Sequence, residues 1–203
     1  MKQIKWRSLI ISCLICLLPI LFGLSLWEKL PDEIAIHFNI NNEPDNFASK
    51  GFAVFGLPFL MVFAQIFCCI VTDLNCRKHG ENTQFEKVSK WIIPVITILL
   101  QIITFAFALG KNIDIRRCAL LIVGILFLIL GNAISKLDNV KNYNIEPDKA
   151  KKINKVMGCS MVILGILAII TTLFPPIASI IWLISLIPYG IFITVYTIKS
   201  SQK

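Results

Sequence analysis

Charge is what this 203-residue sequence has least of: 16% of its residues are Asp, Glu, Lys or Arg, against 56% hydrophobic, and the mean hydropathy is +0.76. A soluble globular domain carries about a quarter charged residues, so that class is excluded. No Asp, Glu, Lys, Arg or His falls within residues 9–27, 52–72, 91–109, 118–135, 156–174 or 177–198. Ion-coupled transporters and proton pumps need ionisable groups at membrane depth, where such groups are costly, and the lack of them argues against both. H-E-x-x-H, G-x-S-x-G and P-loop signatures are also missing, so no enzyme is expected. The seven cysteines are odd in number, and Cys13, Cys16, Cys68, Cys69 and Cys159 lie in apolar runs. That is no disulfide framework, and Cys13-x-x-Cys16 reads as small apolar packing residues. Cys76 and His79 form a single C-x-x-H without the second pair that zinc needs. No cofactor and no metal are expected.

What remains is apolar length. Each of the six runs can cross a hydrocarbon core of about 30 Å as a helix. The expected fold is an all-α integral membrane protein with six transmembrane helices and a short extracellular strand-like loop between the first two. Pro58, Pro94 and Pro188 mark kinks, since neighbouring helices re-satisfy the backbone groups they free. Gln65 and Gln101, near mid-depth, are expected to hydrogen-bond between helices. Gly158, Ser160 and Gly165 allow close backbone approach, and Phe174-Pro175-Pro176 folds the last two helices into an antiparallel hairpin. Residues 73–90 read as a solvated, mixed-charge loop. Glu146-Pro147-Asp148 suits a turn followed by a helix start.

The formal charge of +8 is spread over short loops rather than gathered in one stripe, which excludes a nucleic-acid partner. With a cytoplasmic amino terminus, fifteen of the twenty Lys and Arg residues lie inside. Only Lys29, Lys50, Lys111, Arg116 and Arg117 lie outside, so both termini are expected in the cytoplasm of a multi-pass plasma-membrane protein. Residues 149–155 would set their lysines against anionic lipid, making the bilayer the first partner. The basic start and apolar run before Trp27 are expected to stay uncleaved, because the run spans and no A-x-A-like site closes it.

The longest patterned polar stretch is residues 30–50, LPDEIAIHFNINNEPDNFASK. Ile34, Ile36, Phe38 and Ile40 alternate with Ala35, His37 and Asn39, the period-two pattern of a strand with one apolar and one polar face. Asn41-Asn42 offers a turn, and Glu43-Pro44-Asp45 bends the chain back. Ser49 then stands where a helix cap is wanted. His37 on the polar face, with Asp45 and Lys50 after the return, converges on a bound peptide or holds the loop's own fold. A metal at His37, Glu43 and Asp45 is a lesser option, short of a fourth ligand.

Leu30, Pro31, Ile34, His37, Pro44, Asp45 and Lys50, set between one membrane helix and the next, resemble the domain of the SdpI-like bacterial membrane proteins. That family is named for an immunity protein against a sporulation-delaying toxin, and the likeness covers residues 9–72. It divides the chain into an SdpI-like two-helix module, 1–72, with the outer loop 30–50, and a four-helix portion, 73–203. Gly131-Asn132 and Lys136 are faint echoes of the family's carboxyl half, whose Arg-Thr and Trp signature this chain lacks. The resemblance implies immunity or signalling: binding of an extracellular antimicrobial peptide or toxin, and contact with a cytoplasmic regulator. The alternative class is a transport component or permease for an uncharged or amphipathic solute.

Overall fold

The computed structural model describes residues 4–79, 83–137 and 146–202. Residues 139–145 of the lysine-rich segment and the side chain of His79 lie outside that description. Among the described residues six helices are long and apolar enough to cross a membrane, so the protein is a multi-pass membrane protein. In chain order they are α1 (Trp6–Ser25), α2 (Leu57–His79), α3 (Thr83–Ala108), α4 (Ile115–Ser135), α5 (Pro147–Thr171) and α6 (Pro176–Gln202). Between α1 and α2 lie β1 (Glu33–Phe38), β2 (Pro44–Ser49) and a π-helical turn, Phe52–Gly56. Pro19, Pro94 and Pro188 lie inside α1, α3 and α6 without ending them.

The chain forms two compact units. One comprises Met1–Asp73 with Ser89–Cys118, the other Leu74–Val88 with Ala119–Lys203. The first is built on α1, the hairpin, most of α2 and most of α3. Its apolar core is Leu30, Ile34, Ala53, Val54 and Phe105, with Leu26, Trp27, Phe55 and Ala108 packed around it. Gly23 lets α1 approach closely, since a Cβ there would stand 2.8 Å from Val54 Cγ1 and 2.9 Å from Phe105 Cζ. The hairpin therefore rests on a core to which its own Leu30 and Ile34 contribute.

Below that core the unit holds buried polar groups. Gln65 Nε2 lies 2.8 Å from Ser12 Oγ, 2.9 Å from the Lys90 carbonyl and 3.1 Å from Cys69 Sγ, so one amide ties α1, α2 and α3 together. At the end away from the hairpin, Lys90 Nζ meets Asp73 Oδ1 at 2.5 Å with both side chains 3% exposed. The Lys5 amide donates to Asp73 Oδ2 at 3.1 Å. Here the sequence expectation of a solvated loop over 73–90 fails. Asp73 and Lys90 lie within α2 and α3, which run on past the apolar stretches. A charged pair can be buried there because each charge has a partner.

In the second unit, α4 and α5 pack antiparallel through two glycines on each helix. A Cβ at Gly124 would lie 2.9 Å from the Gly165 carbonyl, and one at Gly131 would lie 2.6 Å from the Gly158 carbonyl. Trp182 of α6 donates from Nε1 to the Leu164 carbonyl at 3.0 Å and joins Leu120 and Ala168 in a small core. Tyr189 Oη lies 3.2 Å from Ser160 Oγ. These two contacts make α5 and α6 the antiparallel pair that Phe174-Pro175-Pro176 implies.

Candidate functional site

The hairpin pairs Glu33 with Ser49, Ile34 with Ala48 and Ala35 with Phe47, then His37 with Asn46 and Phe38 with Pro44. Ile36 on β1 and Asp45 on β2 are thus each an extra residue, a bulge on either strand. A bulge breaks the two-residue alternation and re-aims the side chains around it. This corrects the simple alternation expected from the sequence. Ile34 faces the core, but Ile36 is exposed and Ala35 is buried. The bulges also explain how His37 meets a residue of the other strand that is not its register partner. His37 Nδ1 donates to Asp45 Oδ1 at 2.5 Å, in the open, with the side chains 67% and 43% exposed.

Lys50 is turned to a different set of groups. Its Nζ lies 3.2 Å from Asp32 Oδ1, 3.3 Å from the Leu30 carbonyl and 3.4 Å from the Trp27 carbonyl. It also stands 5.0 Å from the centre of the Trp27 ring, and its side chain is 17% exposed. The Lys50 amide donates to the Asp32 carbonyl at 2.7 Å. A cation near carbonyls that follow a helix end, and over an indole face, is favourably placed. The seven residues picked from the sequence therefore divide by location. Leu30 and Ile34 are buried, Pro31 is exposed ahead of β1 and Pro44 at the start of β2, His37 and Asp45 form the exposed pair, and Lys50 sits at the hairpin base.

The tip is held by a residue read from the sequence only as part of a turn. Asn42 adopts φ 66°, a left-handed conformation that asparagine tolerates. Its side-chain Nδ2 donates to the Ile113 carbonyl at 3.0 Å, and its Oδ1 accepts from the Ile115 amide at 2.7 Å. Ile115 opens α4, so Asn42 satisfies a first-turn amide that no helical carbonyl can reach. Inside the turn, Asn39 Oδ1 accepts from the amides of Asn41 and Glu43 at 2.9 and 3.0 Å, and Asn39 Nδ2 donates to Glu43 Oε2 at 2.8 Å. Phe38 meets Phe107 edge-on at 4.7 Å. Tip, strand and base are each fastened to the helices.

Behind the hairpin, Ser49 Oγ accepts from the Phe52 amide at 3.3 Å, as a cap should. The following turn is widened to π geometry, with the Leu57 amide bonding Phe52 O, five residues back. Pro58 supplies no amide, so Ala53 O is left without a backbone donor. Gln101 Nε2 fills that place at 2.7 Å. Gln101 and Gln65 both bond between helices, as expected, and Gln101 also serves a π turn that lies outside the sequence expectation. The signal for it is a proline one turn into an apolar helix with a glutamine on a neighbour. Among the described residues no group of three or more His, Cys, Asp or Glu could hold a metal.

Three comparisons bear on this site. A family described as a domain of unknown function (DUF1648) matches residues 14–62, which take in most of α1, the whole hairpin and the π turn. The immunity protein SdpI of Bacillus subtilis (strain 168) is 28% identical over 125 residues. That match takes in 62% of this chain and spans 58% of the relative's length. No solved structure matches. The chain is thus similar to an SdpI-type membrane protein, and the stretch that carries the hairpin lies inside the family match.

Proposed function

We propose that this protein recognises an extracellular peptide toxin at the bacterial cell membrane and so confers immunity on the cell that makes it. The observation that carries the reading is the similarity to a protein named for immunity, joined to a hairpin anchored at base, strand and tip while the His37–Asp45 pair stays open. The protein acts by binding, without catalysis, and passes the signal of an occupied site to a cytoplasmic regulator. In this reading the hairpin faces outward and both termini face the cytoplasm. His37 and Asp45 present the contact surface, and Lys50 completes the site by fixing the strand base from which they project.

The test is tolerance. Expressed in a toxin-sensitive bacterium, the protein should raise the dose of peptide toxin the cells survive. His37→Ala and Asp45→Ala should each abolish that protection and leave the amount of membrane-inserted protein unchanged, because exposed polar groups outside the bundle add little to its stability. Lys50→Ala should abolish protection and also lower abundance, since a partly buried cation and its carbonyl partners are lost together. If His37→Ala and Asp45→Ala reduce abundance in step with tolerance, the pair is structural and the site is wrong. Gradient-driven solute uptake by the protein in liposomes, with no tolerance, would move it to the transport class.

A further inference from the structure

The chain carries a net charge of +8, yet four of its twelve acidic residues, Asp32, Glu33, Glu43 and Asp45, fall within residues 30–50 alongside Lys50. All four are exposed, while Lys50 is withdrawn to the hairpin base. Among them stand three exposed apolar side chains: Ile36, put outward at the β1 bulge, Ile40 at the turn and Phe47 on β2, exposed to 37%, 44% and 50%. Ile34 and Ala35 are buried and Phe38 packs on Phe107, so the part of the hairpin surface left open is the part that carries Ile36, Ile40 and Phe47. An anionic lipid headgroup surface is a poor occupant for that face, because the carboxylates would oppose it. A uniformly apolar partner would leave the carboxylates near unpaired, low-dielectric surroundings.

We propose that the open face of the β1–β2 hairpin docks a cationic amphipathic peptide segment, its Lys or Arg residues meeting Glu33, Glu43 and Asp45 and its apolar residues covering Ile36 and Phe47. This rests on the immunity reading and narrows the toxin it would recognise to one with a basic, amphipathic stretch. Opposite charge steers such a peptide to the site and selects against acidic ones, while the apolar contacts hold it there. Ile36 and Asp45, the extra residues at the two bulges, are both exposed.

The full chain in phosphatidylcholine nanodiscs decides it, with a labelled synthetic Lys/Leu amphipathic peptide as probe, its Glu/Leu counterpart beside it, and empty nanodiscs to subtract lipid binding. The Lys/Leu peptide should bind in a saturable way that weakens as salt is raised, and the Glu/Leu peptide should not bind. Glu33→Gln/Glu43→Gln, which keeps the Asn39 hydrogen bond but removes two charges, should raise the Kd by about five- to tenfold. Phe47→Ser should weaken binding to a similar extent. Equal binding of both peptides, or binding no greater than to empty nanodiscs, overturns the proposal, and both readouts stand even if a variant folds poorly. Tolerance in cells without charge-selective binding here would sink the proposed chemistry and leave the immunity reading standing. Charge-selective binding without tolerance would do the reverse.

Discussion

Asn42 holds a left-handed turn, pairs the Ile113 carbonyl and caps the first amide of α4. Asn42→Ala removes both bonds and puts a Cβ-bearing residue without a compensating side-chain bond at positive φ. The local cost should be about 2 kcal/mol, which opens the tip roughly thirtyfold more often. Hydrogen exchange should rise over residues 39–46 and 113–115 and stay unchanged over α6. Asn42→Gly, which keeps the backbone but not the bonds, should fall between the two. At this scale the sequence was legible where the cause is local. The Asn-Asn turn, the return at Pro44 and the capping Ser49 follow from residue types and spacing alone. Asn42's partner lies 71 residues away, and the bulges at Ile36 and Asp45 depend on how two strands pair, so neither could be read from one strand. Asp73 and Lys90 misled for a related reason. Charge just beyond an apolar run looks like loop, whereas here both helices run on and set a cation against an anion.

Helices show the same division. Six spans were legible because about 20 apolar residues suffice to cross a bilayer, while the continuation of α2 to His79 and the early start of α3 at Thr83 depend on packing beyond the apolar stretch. Glycine gives the clearest test at this scale. Gly158 and Gly165, expected from the sequence to permit close approach, do so against α4, whereas Gly190 of α6 has nothing within 4 Å of where a Cβ would stand. Gly165→Val should push α5 off the Gly124 carbonyl and cost about 2–4 kcal/mol, while Gly190→Ala should be neutral or slightly stabilising. Thermal loss of the monodisperse peak in detergent would show it, and equal behaviour of the two variants would mean that α4 and α5 do not pack this way. Gly131, read from the sequence as a weak family echo, has a packing reason of its own beside Gly158.

For the whole molecule, the division of basic residues predicts both termini on the cytoplasmic side. Reporter fusions after Lys50 should read as external and fusions after Lys155 and Lys203 as internal, and an external carboxyl terminus would break the six-span arrangement. The likeness read from the sequence over residues 9–72 takes in the family match, residues 14–62; beyond it, periodicity gave helices but no use for them. The turn at Phe52–Gly56 bears on something else, the count of residues between hairpin and membrane. A π turn takes up one residue more than an α turn and leaves the helix on either side in phase. It is therefore a store of slack. Deleting one residue there would close the turn to α geometry and keep Gln65 aimed at Ser12 and Lys90. The same deletion at Val62 would rotate the hairpin against the rest of α2 by about 100°. Chain length can drift by one at that point without the hairpin changing the direction it faces.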